Sequence, residues 1–98
     1  MQFIWDPNKE RANRRDHGIG FETAMRAFAD PHHWTELDRI EDGDERWHIV
    51  GLVDAMTLLL VVFTTWDEDD GEEVVRIISA RNATPHERRN YENDKTVH

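Results

Sequence analysis

The spacing of apolar positions changes once along the chain and divides it into a helical front and a stranded back. Gln2 to Trp5 is a short apolar run that reads as a strand. Asp6-Pro7 follows, with Asp suited to cap a helix and Pro to its first position, where no N–H is needed. This helix is expected to run to about His17, where Gly18 supplies a C-terminal stop. It is polar almost all round, so it lies at the surface with Ala12 and the long side-chain stems turned inward. Phe21, Ala24, Met25 and Phe28 then fall at i, i+3, i+4 and i+7, the spacing of an amphipathic helix. Asp30-Pro31 ends it, because the residue before a proline is pushed away from helical angles.

Beyond that point the period is two. Residues 33–40, 46–53, 57–65 and 73–81 read as strands, separated by turn signals at Asp42-Gly43, Asp54 and Gly71. Leu58 to Phe63 is continuously apolar, which predicts a central strand covered on both faces. Thr84-Pro85 opens a last, basic helix with Glu87 at its third position, a capping-box arrangement reaching to about Tyr91. Residues 93–98 are expected to fray into a disordered tail. The order β-α-α-β-β-β-β-α predicts one α+β domain over residues 1–98, a four-strand antiparallel meander with helices against one face.

Composition narrows the function. Ninety-eight residues allow one domain, and no cysteine is present for disulfides or cysteine-rich metal sites. No apolar run approaches a membrane span, and MQFIWDPNKE lacks the regions of a secretion signal, so a soluble cytoplasmic protein is expected. Twelve Lys and Arg against 21 Asp and Glu give a formal charge of −9, which argues against non-specific nucleic-acid affinity and favours a basic protein partner. The charges are nevertheless segregated. Lys9, Arg11, Arg14 and Arg15 cluster early and Arg76, Arg81, Arg88 and Arg89 late, while acids concentrate in Glu36 to Glu45 and Asp67 to Glu73.

Candidate chemistry is sparse when the residues are read alone. There is no nucleophile elbow, P-loop or dinucleotide glycine pattern. His32-His33 would point to opposite sides of an extended segment with no partner at ligand spacing, so no metal site is expected. His17 at a helix C-terminus either interacts with the helix dipole or serves as a general acid or base. Arg46 and His48 share one face of a strand, with Trp47 and Ile49 on the other. Arg76 and Arg81, five apart, face opposite sides of an unbroken strand unless a bulge intervenes; each is otherwise a structural ion-pair partner, Arg76 with the acidic loop. Of Trp5, Trp34, Trp47 and Trp66, Trp47 is expected in the core. Trp66 beside the acids reads as a stacking platform for a base or an anchor for a partner.

Longer phrases add a resemblance. "FIWDPNKERANRRDHGIGFETAMRAFADP", "DERWHIVG", "LLLVVFTT" and "VVRIISARNATPHERRNYE" resemble the BrnT toxin family in order and spacing over about residues 3–92. The resemblance implies a RelE-like fold and a type II toxin–antitoxin toxin, a metal-independent ribonuclease that inhibits translation and needs no cofactor. It also implies neutralisation by a BrnA-like ribbon-helix-helix antitoxin, in a hetero-oligomer that contacts operator DNA mainly through the antitoxin and represses its own operon. By the family's pattern the catalytic candidates are His17, Glu45, Arg46 and Arg81, with Arg76 and Trp66 toward the RNA. Asp67, Glu68, Asp69 and Asp70 are the expected partner-binding acids. Two departures stand out: Asp16 precedes His-Gly where many relatives have lysine, and Trp66 follows Thr64-Thr65 where many carry arginine. They imply an alternative, a catalytically weakened toxin homologue that acts as a binding module in an operator-bound repressor complex.

Overall fold

The computed structural model describes residues 1–97. Its elements are β1 (Gln2–Ile4), α1 (Pro7–His17), α2 (Phe21–Met25) with a following 3-10 turn (Arg26–Ala29), β2 (Trp34–Glu41), β3 (Asp44–Leu52), β4 (Leu58–Asp67), β5 (Glu73–Asn82) and α3 (Pro85–Val97). This is the expected α+β order. The last helix runs past Tyr91 to Val97, farther than the capping pattern suggested, and His98 of the expected tail lies outside the described residues.

The five strands form one sheet in the order β1-β5-β4-β3-β2. The expected meander is present, and β1 joins it as a fifth strand parallel to β5, so the sheet is mixed rather than wholly antiparallel. β1 covers β5 only as far as Arg76. Farther along, the buried Asn13 of α1 takes over the edge: its side-chain amide accepts from the N–H of Ala80 at 3.0 Å and donates to the Ala80 carbonyl at 2.9 Å. An otherwise orphaned pair of strand-edge groups is satisfied by one side chain, which fixes α1 alongside β5.

The expectation of helices against one face is corrected by the two-sided core. Leu59, Val61 and Phe63 of β4 pack with Phe21, Ala24 and Ala27 of α2 and the 3-10 turn. The alternate residues Leu58, Leu60 and Val62 pack with Val50 and with Tyr91 of α3. The continuous apolar run of β4 thus has the physical cause expected of it, burial on both faces. Gly51 is required by this packing. A Cβ there would stand 2.5 Å from the Ala27 carbonyl oxygen, so only glycine lets the 3-10 turn lie down on β3.

Polar residues lock the layers together. The buried Asp30 carboxylate accepts from the Tyr91 hydroxyl at 2.5 Å, the Leu52 N–H at 2.7 Å and the His32 N–H at 2.9 Å. Burial works against its ionised form, but these donors and nearby His32 prevail and hold its pKa below the ordinary aspartate value. Burial, and the Asp30 charge after it, push the Tyr91 hydroxyl well above its usual range, so it is a fixed donor.

Candidate functional site

Two bulges decide which charged side chains share a face. In β5, Val62 pairs with Ser79 and Phe63 with Ile77, leaving Ile78 as an extra residue. Ile77 and Ala80 consequently both reach the α2-side core. Arg76, opposite Thr64, and Arg81, opposite Leu60, both project on the α3 side. The five-residue spacing that separated them in an unbroken strand is absorbed by the bulge. In β2, Asp38 is likewise extra between the pairs Leu37–Trp47 and Arg39–Arg46. Its carboxylate meets His48 Nδ1 at 2.9 Å, with Glu36 3.6 Å from His48 Nε2.

On this face, at the end of the sheet where β3 begins and β4 ends, an open cleft of about 520 Å³ is lined by Asp44, Glu45, Arg46, Trp47, Thr64, Thr65, Trp66 and Arg76. The Arg76 guanidinium lies over the Trp66 ring, 5.1 Å from its centroid. It makes no ion pair among the described residues, so the expected salt bridge to the acidic loop is not formed. Trp66 is 36% exposed and donates its indole N–H to Glu68 at 3.2 Å. Its ring is therefore a floor under a cation. Arg46 lies about four-fifths buried, with Nε 3.6 Å from Glu41 and without a hydrogen-bond acceptor. Beside the cleft, Lys9 and Asp6 share a second hollow with Arg76.

The cations are rimmed by acids. The β2–β3 connection is a two-residue turn, Asp42-Gly43, with φ of 52° and 83°, the positive values a tight hairpin needs. The β4–β5 turn at the same end is closed by Glu68 N–H to Glu72 C=O at 2.8 Å and Gly71 N–H to Glu68 C=O at 2.9 Å. Asp70 accepts from the Glu72 N–H at 2.9 Å. Asp67, Glu68, Asp69 and Asp70 are exposed here, and Asp44 and Glu45 border the cleft from the other side.

Two candidates stand apart. His17 ends α1, exposed, with Gly18 in the left-handed conformation behind it at φ 72°. It does not line the cleft. Arg81 shares the α3 face but is held in a two-pronged ion pair by Glu87, at 2.9 and 3.0 Å. This bonding keeps Glu87 ionised down to about 2 and raises the Arg81 pKa further. Glu87 also accepts from the Thr84 N–H at 2.8 Å while Thr84 Oγ accepts from the Glu87 N–H at 3.1 Å, completing the expected capping box. The His48–Asp38 pair is the feature that spacing alone missed. The shared face of Arg46 and His48 was readable, but the bulge that brings Asp38 there was not.

A mixed sheet between helical layers, with Arg46 and Arg76 opening onto one cleft at its end, defines a small α+β protein. The description "Ribonuclease toxin, BrnT, of type II toxin-antitoxin system" matches residues 5–87, and the chain belongs to this BrnT family. Among solved structures, the 1.1 Å crystal structure of the Brucella abortus ribonuclease toxin BrnT is similar to it, with a TM-score of 0.60 and 23% identity over 86% of this chain and 97% of that one. No curated protein matches the chain.

Proposed function

We propose that this chain is a metal-independent endoribonuclease toxin whose RNA site is the cleft between Arg46, Arg76 and Trp66. The observation that carries the reading is the pair of arginines from different strands that open onto one cleft with Trp66 beneath one of them. In RNA cleavage the ribose 2′-OH attacks the adjacent phosphorus and the P–O5′ bond breaks. The products are a 2′,3′-cyclic phosphate and a free 5′-OH. Net negative charge builds on the phosphoryl oxygens, and Arg46 and Arg76 neutralise it. Glu45, at the border of the cleft, takes the 2′-OH proton, and water gives the leaving 5′ oxygen its proton. Trp66 restricts the Arg76 guanidinium and offers its free edge to a base. Arg81 and His17 act from outside the cleft, Arg81 by securing α3 on the same face of the sheet.

This assignment answers the departure at Trp66. The position many relatives fill with arginine is occupied here by a ring that stacks under the arginine of the neighbouring strand. A cation is thereby kept in the cleft from β5 instead of β4. The protein inhibits translation by cutting RNA in the cytoplasm and is neutralised by a BrnA-like antitoxin. Basic segments of that antitoxin are drawn to the acidic rim that includes Asp67 to Asp70, and the complex meets operator DNA through the antitoxin.

Expression without antitoxin tests the reading against the weakened-toxin alternative. Growth arrest with cyclic-phosphate RNA ends is expected, and Trp66→Arg should not exceed it. A wild-type chain without effect whose Trp66→Arg variant arrests growth would establish the alternative.

A further inference from the structure

The outer edge of β2 is the one long strand edge that nothing covers among the described residues. β1 and Asn13 close the opposite side of the sheet, whereas the eight residues Trp34–Glu41 present a free row of backbone donors and acceptors. The two faces flanking this edge differ. On the α2 side, Thr35, Trp47, Ile49, Phe28 and Phe63 line an open apolar groove of about 280 Å³. Leu37, opposite Trp47, extends it at 43% exposure, and Ile40 is 66% exposed. On the α3 side stand Glu36 and the Asp38–His48 pair, with Glu41 beyond them 3.7 Å from Arg39, and Arg39 also bonded to Asp38. Residues 34–46 carry six acids, Glu36, Asp38, Glu41, Asp42, Asp44 and Glu45, against Arg39 and Arg46.

We propose that this edge receives an extended, basic segment of the antitoxin as an added strand. The inference rests on the reading of the chain as an antitoxin-held toxin and specifies where and how it is held. Strand side chains alternate, so the incoming segment would place apolar residues over the Leu37–Trp47 groove and Lys or Arg over Glu36 and Glu41. Charge selects the occupant. A second copy of this chain would set six acids against six, which repels, while a basic strand gains both backbone pairing and charge complementarity. The docked segment would also end beside Asp44 and Glu45, at the rim of the arginine cleft. Neutralisation then follows from occlusion of RNA.

Hydrogen exchange of the full chain with an eight-residue peptide of alternating lysine and valine tests this, with alternating glutamate and valine as the comparison. Slowed amide exchange that includes Trp34–Glu41 is expected with the lysine peptide alone. Leu37→Lys and Ile40→Lys, both at exposed positions, should weaken that peptide about tenfold. Protection of Asp67 to Glu72 without protection of Trp34–Glu41, no protection at all, or undiminished binding by both lysine variants would overturn the proposal. RNA cleavage by the same preparation without peptide is scored separately, so a failed ribonuclease reading and a failed docking site give different results.

Discussion

Tyr91 and Asp30 lie 61 residues apart in sequence, yet one 2.5 Å hydrogen bond between them joins α3 to the segment leading into β2. The same carboxylate takes the Leu52 N–H at the end of β3, so three elements meet on two oxygens. Tyr91→Phe removes a donor to a buried carboxylate and should cost about 1–3 kcal/mol in urea unfolding. Arg46 is the complementary case at the cleft. Its side chain is mostly buried, and its Nε, without a hydrogen-bond acceptor, is held by the Glu41 carboxylate at 3.6 Å. Gly51→Ala would force a methyl against the Ala27 carbonyl and should destabilise by about 1–3 kcal/mol, measured the same way.

At the scale of elements, the start of α3 is fastened through the Glu87 carboxylate, which caps the helix and grips Arg81. Its folded pKa is depressed from 4.5 to about 2. The stability it contributes is therefore fully present above the unfolded value near 4.5 and is lost as pH falls toward 2. Melting temperature should drop across that window in the wild-type chain, and the drop should be shallower in Glu87→Gln, which starts less stable. Asp30, also depressed, adds to the wild-type slope and remains in the variant. Much of this architecture was legible in the chain. The cap at Thr84 and Glu87, the stop at Gly18 and the two-sided β4 each follow from local residue chemistry. The location of the bulges did not. An extra residue at Ile78 or Asp38 leaves the local apolar pattern nearly unchanged and is fixed by pairing with a distant strand. The common face of Arg76 and Arg81 was therefore conditional on a feature the sequence does not display. The parallel docking of β1 and the crossing of α3 to the far face are long-range outcomes of the same kind.

For the whole molecule, a charge of −9 coexists with a cleft in which the arginines Arg46 and Arg76 stand beside the acids Asp44 and Glu45. Acids concentrate in the hairpin turns and along β2, whereas Arg46 and Arg76 stand on the α3-side face of the sheet. On the proposed reading, this cleft cuts RNA with its own side chains. That reading is tested most directly by cleavage of a defined single-stranded RNA in excess EDTA, with wild type, Arg46→Ala, Arg76→Ala and the exposed-surface control Arg15→Ala compared at equal folded fraction. The account predicts cleavage by wild type and the control, and a loss of about 10²–10³ in rate for each cleft variant. Wild-type cleavage that vanishes in EDTA, or that survives intact in both Arg46→Ala and Arg76→Ala, would contradict it.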